Sequence, residues 1–406
     1  MHELRALFFF NMLSLTAMMA FVPLIGPIIR ELDMAEWHGG LMVTMAGVFW
    51  MTQARRWGRA SDRHGRKPIL MLAASGYVLA YAAMAGFLDY ALAAPPAIWL
   101  TLLVMVILRS MVGGFYAAIP TVSAAQMADV SSPVQRASMM SRLGAANGMG
   151  LVLGPMLGGL LAGHSLSLPL YIAAALPALG LVWLGWALPR HAPRSVTPPP
   201  PVHVLDKRLR IPALAMLLAM GSVIVSQMVV GFYAIDRLGL DSHAAATLSS
   251  LAMTAVGVTL IVVQLSMSRI PRLDSARCLM WGALLAMLGF VLVTLWHSRA
   301  GMVISYSVMA AGLGMVFPSI QTLAANAVAE TEQGTAAGTV AAVQGMAMVV
   351  MPLLSTVLYK IRPEAPYFCA ALCLLLLGVL VARASRRGAG VAAPVEAAAA
   401  RRVEGK

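Results

Sequence analysis

Long apolar runs alternate with short polar connections along most of the chain. A transmembrane helix needs about 20 apolar residues, and twelve runs approach that length. The second run is short and is expected to extend toward Trp37 or Trp57. We therefore predict an all-α membrane protein with twelve transmembrane helices. The predicted spans are residues 4–29, 39–52, 69–88, 97–122, 139–163, 168–188, 211–235, 244–267, 279–296, 302–325, 335–358 and 366–382.

A polar, proline-rich segment separates the sixth span from the seventh. It contains four consecutive prolines and five basic residues, a composition that neither spans a membrane nor packs into a core. The tail after the last span is rich in Ala, Gly and Arg and has no apolar face. The predicted organisation is an N-terminal six-helix bundle at 1–188, a cytoplasmic linker at 189–210, a C-terminal six-helix bundle at 211–383 and a disordered cytoplasmic tail at 384–406.

A weak internal repeat indicates that the two sets of six spans are pseudo-symmetric. Proline recurs at Pro120 and Pro318, and again at Pro155 and Pro352, with the members of each pair about half a chain length apart. Duplicated six-helix halves with a site between them are typical of membrane transporters.

The composition excludes a soluble protein, because 60% of the residues are hydrophobic and only 11% are charged, against about 25% charged in soluble domains. The formal net charge of +13 would suit a nucleic-acid binder, but the basic residues form short clusters between apolar runs. On the predicted topology, 23 Lys and Arg lie on the side that holds both termini and five on the other. This asymmetry predicts an inner-membrane protein with both termini in the cytoplasm.

Cysteine and methionine do not indicate a metal or disulfide site. The three cysteines lie in apolar runs without CxxC spacing, and the 30 methionines are scattered without accompanying Cys or His. We interpret methionine as a packing and pocket-lining residue rather than a copper ligand. No cofactor and no metal are expected.

A charged motif follows the second span and reads GRASDRHGRK from Gly58. Positive-inside topology accounts for its basic residues but not for Asp62 or the two glycines. Gly58 would permit close helix approach and Gly65 a tight turn, while Asp62 could lie against the positive end of a helix from the other half. The motif resembles the loop pattern G-x-L-A-D-R-x-G-R-K of the major facilitator superfamily, from which it departs only at Ala60 and Ser61.

The resemblance implies a conformational latch between the two halves. In that family the aspartate and arginines of the loop hold the halves together in one state, often with an acid at the end of helix four. The second half keeps only a degraded counterpart at residues 268–278, which predicts an asymmetric latch. The predicted latch residues are Gly58, Asp62, Arg63, Gly65, Arg66, Lys67 and Asp129.

The fifth span contains the sequence GLVLGPMLGG. It resembles the pattern G-x-x-x-G-P-x-x-G-G of proton-coupled exporters in the superfamily, rather than its sugar or phosphate importers. The alternative is a small-residue packing face, kinked by proline, of the kind found in any membrane protein. The motif residues are Gly150, Gly154, Pro155, Gly158 and Gly159.

Arg109 lies about midway along the fourth span. A guanidinium costs at least about 2.5 kcal/mol at the bilayer centre, so Arg109 needs a partner or a water-filled cavity. The family's fourth-helix pattern has an arginine followed three or four residues later by Gln-Gly. Here Gly113 matches and Val112 replaces the glutamine, and the resemblance implies a role in proton coupling. All acids and histidines lie in loops, tails or helix ends. The predicted proton-coupling or substrate residues are Arg109, Asp236, Asn11 and Gln227, with Glu31 and Asp33 as alternatives to Asp236.

These features predict an exporter that exchanges a small amphiphilic molecule for protons by alternating access. Its expected partners are the small-molecule substrate, protons and the lipid bilayer, without nucleic acid, and it is expected to be a monomer. A drug-like cargo and a siderophore are both open; the latter rests on a similarity of residues 21–27 to bacterial siderophore exporters. A proton-coupled importer is the main alternative. A membrane-embedded enzyme would need intramembrane acid–base or nucleophilic groups and a receptor a folded soluble module, so neither is favoured.

Overall fold

The computed structural model describes residues 2–130, 133–188, 207–268, 274–328 and 333–386. These residues form α-helices and two short 3₁₀ turns, at Val22–Leu24 and Lys207–Leu209, and contain no β-strand. Most of the predicted linker and tail lies outside them. The helices are α1 (His2–Ala20), α2 (Ile25–Glu31), α3 (Glu36–His64), α4 (Arg66–Ala93), α5 (Ile98–Tyr116), α6 (Ala118–Val130), α7 (Pro133–Ala162), α8 (Leu168–Ala187), α9 (Arg210–Leu238), α10 (Ser242–Ser268), α11 (Ser275–Leu295), α12 (Arg299–Asn326), α13 (Gln333–Ile361) and α14 (Ala365–Arg386).

The helices follow the predicted spans. The first predicted span comprises α1, a 3₁₀ turn and α2, the fourth comprises α5 and α6, and each other span is a single helix. Within the described residues, ten helical runs are long and apolar enough to cross a membrane. Helices α3 and α7 are long, but each contains charged residues: α3 includes Arg55 and Arg59, and α7 includes Arg136. The count of twelve spans therefore stays a prediction.

Proline explains the two broken helical runs. Pro23 lies in the 3₁₀ turn between α1 and α2, and Pro120 follows the break between α5 and α6 at Ala117. Proline lacks a backbone N–H and its ring clashes with the carbonyl four residues earlier, so a helix bends just before it. For Pro120 that carbonyl belongs to Tyr116, the last residue of α5.

Helices pack mainly against helices of the same half of the chain. In the first half, α7 and α8 pack on α1, and α4 packs on α5 and α8. In the second half, α12 and α14 pack on α11, and α13 packs on α9. The halves meet mainly where α7 packs on α10, where α3 packs on α13, and where α2 packs on α9 and α10.

We call the two ends of the bundle outer and inner, following the predicted topology. The outer end bears the connections at residues 32–35, 94–97, 163–167, 239–241, 296–298 and 362–364. Close contacts between the halves run from this end to about the middle of the helices. Gly40 of α3 lies against the backbone at Leu353 of α13, and Gly257 of α10 lies against Val152 of α7.

Large apolar side chains cover much of the outside of the bundle. Trp186, Trp99 and Leu79 are 86%, 71% and 69% exposed. Water-soluble proteins rarely expose continuous apolar surface, whereas lipid hydrocarbon is a favourable environment for it. The surface therefore matches that of a protein embedded in a bilayer.

Candidate functional site

The charged motif between α3 and α4 forms a network around Arg66. Its Nη1 donates to Asp62 Oδ1 at 2.5 Å and to Ser61 Oγ at 2.7 Å, and its Nε donates to Asp129 Oδ2 at 3.0 Å. Gly65 connects the two helices with a φ of 90°, a conformation that residues with a Cβ rarely adopt. The structure thus brings Asp62, Gly65, Arg66 and Asp129 together at the inner end of the first half.

Lys67 extends this network to the end of α8. Its Nζ donates to the carbonyl oxygens of Gly185 and Leu188 at 2.7 and 2.6 Å. The last carbonyls of a helix have no partner within the helix and carry its negative dipole end. Lys67 therefore fixes the inner end of α8, while Arg63, the other basic residue predicted for the latch, is exposed.

Two expectations about the motif are not met in this structure. A Cβ built on Gly58 would meet only Thr121 Cγ2, at 3.6 Å, which is an ordinary van der Waals contact. Gly58 is therefore not required for close helix approach. Asp62 pairs with Arg66 of its own half rather than with a helix end of the other half, so the latch between halves stays a prediction.

Three glycines of the fifth-span motif allow α7 to pack closely on α1. A Cβ built on Gly154 would lie 2.5 Å from Met19 Cβ and 2.7 Å from the Thr16 carbonyl oxygen. Gly150 and Gly158 lie equally close to α1, at Leu15 and Ala20 respectively. Because a backbone atom is among the neighbours at each position, the neighbouring side chains cannot make room for a larger residue.

The remaining residues of the motif act differently. Gly159 faces α10 of the second half, where the Ser250 side chain occupies the space that a Cβ would need. Pro155 lies inside α7 and interrupts its hydrogen bonding. The motif therefore packs against two helices: Gly150, Gly154 and Gly158 lie against α1, and Gly159 lies against α10 of the other half.

Arg109 is 2% exposed and lies between α1, α4 and α5. Its Nη1 donates to the Tyr81 hydroxyl at 3.2 Å and contacts Met18 Sδ at 3.6 Å. The guanidinium also lies 4.5 Å from the centre of the Phe21 ring. No carboxylate of the described residues pairs with it. The charge is thus stabilised by aromatic and thioether groups, a cation–π contact being worth about 2 kcal/mol when desolvated.

Asn11, Gln227 and Asp236 occupy places separate from Arg109. Asn11 is buried, and its amide donates to the Leu7 carbonyl and to Ser123 Oγ, both at 2.8 Å, so it joins α1 to α6. Gln227 is half-buried on α9. Asp236 lies at the outer end of α9. Arg109, Asn11 and Asp236 thus have different partners in this structure, and the role predicted for the four residues stays a prediction.

At the outer end, four side chains form an ionic cluster across the two halves. Arg30 Nη2 lies 2.7 Å from Asp236 Oδ2 and 2.8 Å from Glu36 Oε1. The Tyr359 hydroxyl donates to the same Asp236 oxygen at 2.9 Å, and the Arg30 guanidinium lies 5.5 Å from the centre of the Phe232 ring. We call Arg30, Glu36, Asp236 and Tyr359 the outer cluster.

Sequence reasoning identified only Asp236 of this cluster. Arg30 is one of the five basic residues predicted for the outer side, and Glu36 is the first residue of the next helix, α3. The pairing of Arg30 with Asp236 spans 206 residues and depends on the packing of α2 against α9. No spacing rule along the chain reveals such a contact.

Three other charged groups at the outer end are held within the second half. Arg237 pairs with Glu364. Asp241 precedes α10 and accepts the Ala244 N–H at 2.9 Å, which lowers the pKa of its carboxyl. Among the described residues, no group of three His, Cys, Asp or Glu is arranged to hold a metal ion.

Comparison with known proteins identifies the family. The sequence pattern of the Major Facilitator Superfamily matches residues 7–352 and, in a second overlapping match, residues 215–404. The chain belongs to the Major Facilitator Superfamily. The protein is therefore a multi-pass membrane transporter of this superfamily.

Relatives and solved structures of the superfamily extend over most of the chain. The class C tetracycline resistance protein of Escherichia coli is 25% identical over 355 residues, covering 83% of this chain and 85% of its own. The class G protein of Vibrio anguillarum is 27% identical over 360 residues, with coverages of 84% and 86%. The inward-facing, occupied structure of a bacterial homologue of the human lysosomal transporter Spinster has a TM-score of 0.75 at 13% identity, covering 94% of this chain and 96% of its own. At that identity the structural likeness shows the fold alone.

Proposed function

We propose that the protein exports a drug-like amphiphilic molecule across the inner membrane in exchange for protons. Twelve spans in two six-helix bundles would alternate between access from the inner and the outer end. Both termini would lie in the cytoplasm, as the distribution of basic residues predicts.

The similarity to two tetracycline resistance proteins carries this proposal, because it extends over more than four fifths of each chain. The fifth-span motif supports the exporter direction. Its glycines allow α7 to pack closely on α1 and on α10. Such close packing would prevent protons from leaking between these helices. The cross-half contacts described above lie toward the outer end, which is the arrangement expected when the substrate site is open toward the cytoplasm.

The test is transport in inside-out membrane vesicles, in which an inward proton pump acidifies the lumen. The expected result is accumulation of tetracycline, or of another amphiphilic compound in a small panel, that collapses when a protonophore is added. Vesicles without the protein are the control. Substrate that leaves the lumen down the proton gradient would identify a proton-coupled importer, and gradient-independent behaviour for the whole panel would contradict the proposal.

We expect Asp62→Asn to lower the export rate by about tenfold, with normal insertion. The substitution keeps the side-chain size but removes the charge that Arg66 Nη1 contacts at 2.5 Å, and hydrogen bonds to charged groups are worth about 1.5–3 kcal/mol. The matched control is Asp274→Asn. Asp274 caps α11 and pairs with Arg277 at an exposed site, where asparagine still caps and the ion pair contributes little.

Export rates per molecule of membrane-inserted protein measure the effect. Asp274→Asn should retain the rate of the unmodified protein. Equal rates for Asp62→Asn and Asp274→Asn would limit the loop to a role in topology.

A further inference from the structure

A groove opens between α10 and α12 at the outer end of the second half. Its volume is about 510 Å³, within the range of about 300–1,000 Å³ that is typical of ligand pockets. Deeper in the bundle the two helices touch, since a Cβ built on Gly314 would lie 3.0 Å from Val263 Cγ1. The groove is therefore a wedge that closes toward the middle of the membrane. Its apolar walls include Ala244, Leu248 and Leu251 of α10 and Ala300, Val303 and Ile304 of α12.

The groove faces lipid in the leaflet at the outer end. Leu251 and Ile304 are 56% and 44% exposed, and Leu251 lies about 14 Å along α10 from its first residue. Trp296, just before α12, is exposed at the level where tryptophan collects in membrane proteins. The Thr247 hydroxyl in the wall donates to the His243 carbonyl oxygen at 3.0 Å. The deep part of the groove therefore suits a hydrocarbon chain.

Two opposite charges lie at the mouth of the groove without pairing. Arg299 lines the groove and is the exposed first residue of α12. No carboxylate of the described residues pairs with it, and the positive end of its own helix does not stabilise its charge. On the α10 side, Asp241 accepts the N–H of Ala244, a residue of the groove wall, at 2.9 Å. The mouth thus presents a cation on one wall and an anion on the other.

We propose that the groove binds a phospholipid with an ethanolamine headgroup, drawn from the leaflet at the outer end. One acyl chain fills the apolar wedge, the phosphate accepts from Arg299, and the ammonium group faces Asp241. A guanidinium can bind a phosphate through two parallel hydrogen bonds. An anionic headgroup would meet Asp241 with a charge of the same sign, and a choline headgroup has no N–H to donate.

A lipid in this groove would bear on the contact between the two halves. Helix α10 also packs on α7 of the first half, where Ser250 lies against Gly159 and Gly257 lies against Val152. The bound lipid therefore stabilises the position of α10 on α12 beside that contact. The proposal does not depend on the cargo or on the direction of transport.

Lipid retention by the full-length protein tests the proposal. The purified protein in a nonionic detergent is mixed with equal amounts of phosphatidylethanolamine, phosphatidylglycerol and phosphatidylcholine that carry the same acyl chains, and the bound lipids are counted by native mass spectrometry. The unmodified protein should retain phosphatidylethanolamine in preference to the other two. Glycerophosphoethanolamine, which has the headgroup without acyl chains, should not displace it.

Substitutions at the mouth separate the two charges. Arg299→Gln should lower retention of phosphatidylethanolamine about fivefold, which corresponds to the loss of about 1 kcal/mol per cation at a lipid surface. Arg362→Gln is the matched control, because Arg362 is an exposed cation at the same end outside the groove. Asp241→Asn still caps α10, but it should remove the preference for phosphatidylethanolamine over phosphatidylglycerol.

A substitution in the wall tests the acyl-chain site without changing a charge. Ala300→Phe fills the groove and should lower retention of phosphatidylethanolamine, whereas Ala82→Phe, at an exposed position on α4, should not. Thermal unfolding of each variant shows whether it is folded. Equal retention of the three lipids by the unmodified protein, or equal retention of phosphatidylethanolamine by Arg299→Gln and Arg362→Gln, would overturn the proposal. Displacement by glycerophosphoethanolamine would replace the lipid site by one for a soluble phosphate ester and would also overturn it.

Discussion

Gly154→Val is expected to lower proton-driven export to below about a tenth and to make the membrane leak protons. The first carbon of the new side chain would lie 2.5 Å from Met19 Cβ and 2.7 Å from the Thr16 carbonyl oxygen. The carbonyl belongs to the α1 backbone, so relief requires that α7 and α1 move apart. Overpacking of this kind costs about 1–3 kcal/mol, and the displacement also reaches Gly159 at the interface with α10.

The matched control is Gly148→Val, six residues earlier on the same helix. A Cβ built on Gly148 meets no atom within 4 Å, so the control makes the same chemical change without the clash and should export normally. Export per molecule and the decay of a pH gradient in proteoliposomes are measured for both. If Gly154→Val lowers only the amount of protein, the motif is a general packing face and gives no support to the exporter direction.

Substitution of Arg109 is expected to lower export further than Gly154→Val does. Both Arg109→Lys and Arg109→Ala should reduce gradient-driven export by more than about thirtyfold. Lysine keeps the charge, but its compact ammonium lacks the planar group that contacts Tyr81, Met18 and the Phe21 ring together. Alanine removes both the hydrogen bond to the Tyr81 hydroxyl and the cation near the Phe21 ring, and hydrogen bonds to charged groups are worth about 1.5–3 kcal/mol.

Tyr81→Phe separates a role in coupling from a role in folding. The phenol also donates to the Ala17 carbonyl at 3.1 Å, so the variant keeps the ring and the packing of α4 on α1 and loses only the hydroxyl. Its export rate should fall less than that of either Arg109 variant. Substrate binding is measured beside export for all three, and full gradient-driven activity in Arg109→Ala would remove Arg109 from the mechanism.

Features that depend on neighbouring residues in the chain were predictable from the sequence. The position of each helix follows from local apolar length. Proline alone did not predict the breaks at Pro23 and Pro120, since Pro155 and Pro318 lie inside the unbroken helices α7 and α12. Gly65 takes the positive φ expected of the turn. The second span was predicted to extend into its flanking tryptophans, and α3 runs from Glu36 to His64.

Features that depend on helix packing were only partly predictable. The charged motif indicated a network, but Arg66 rather than Asp62 is its centre, and Lys67 binds the end of α8. The burial of Arg109 followed from its depth in an apolar span, whereas its aromatic and thioether partners did not. Gly150, Gly154 and Gly158 share one helix face by their spacing alone, but nothing in that spacing shows that Gly159 faces the other half.

The sequence by itself determined the helical class of the protein, its membrane-compatible surface and the residue types that are costly to bury in lipid, because these depend on the transfer free energy of each segment. Tertiary structure alone decided which charges meet. Arg30 and Asp236 lie 206 residues apart, and their contact exists because Gly26 and Gly231 let α2 and α9 approach closely enough for the ion pair to form across the two halves.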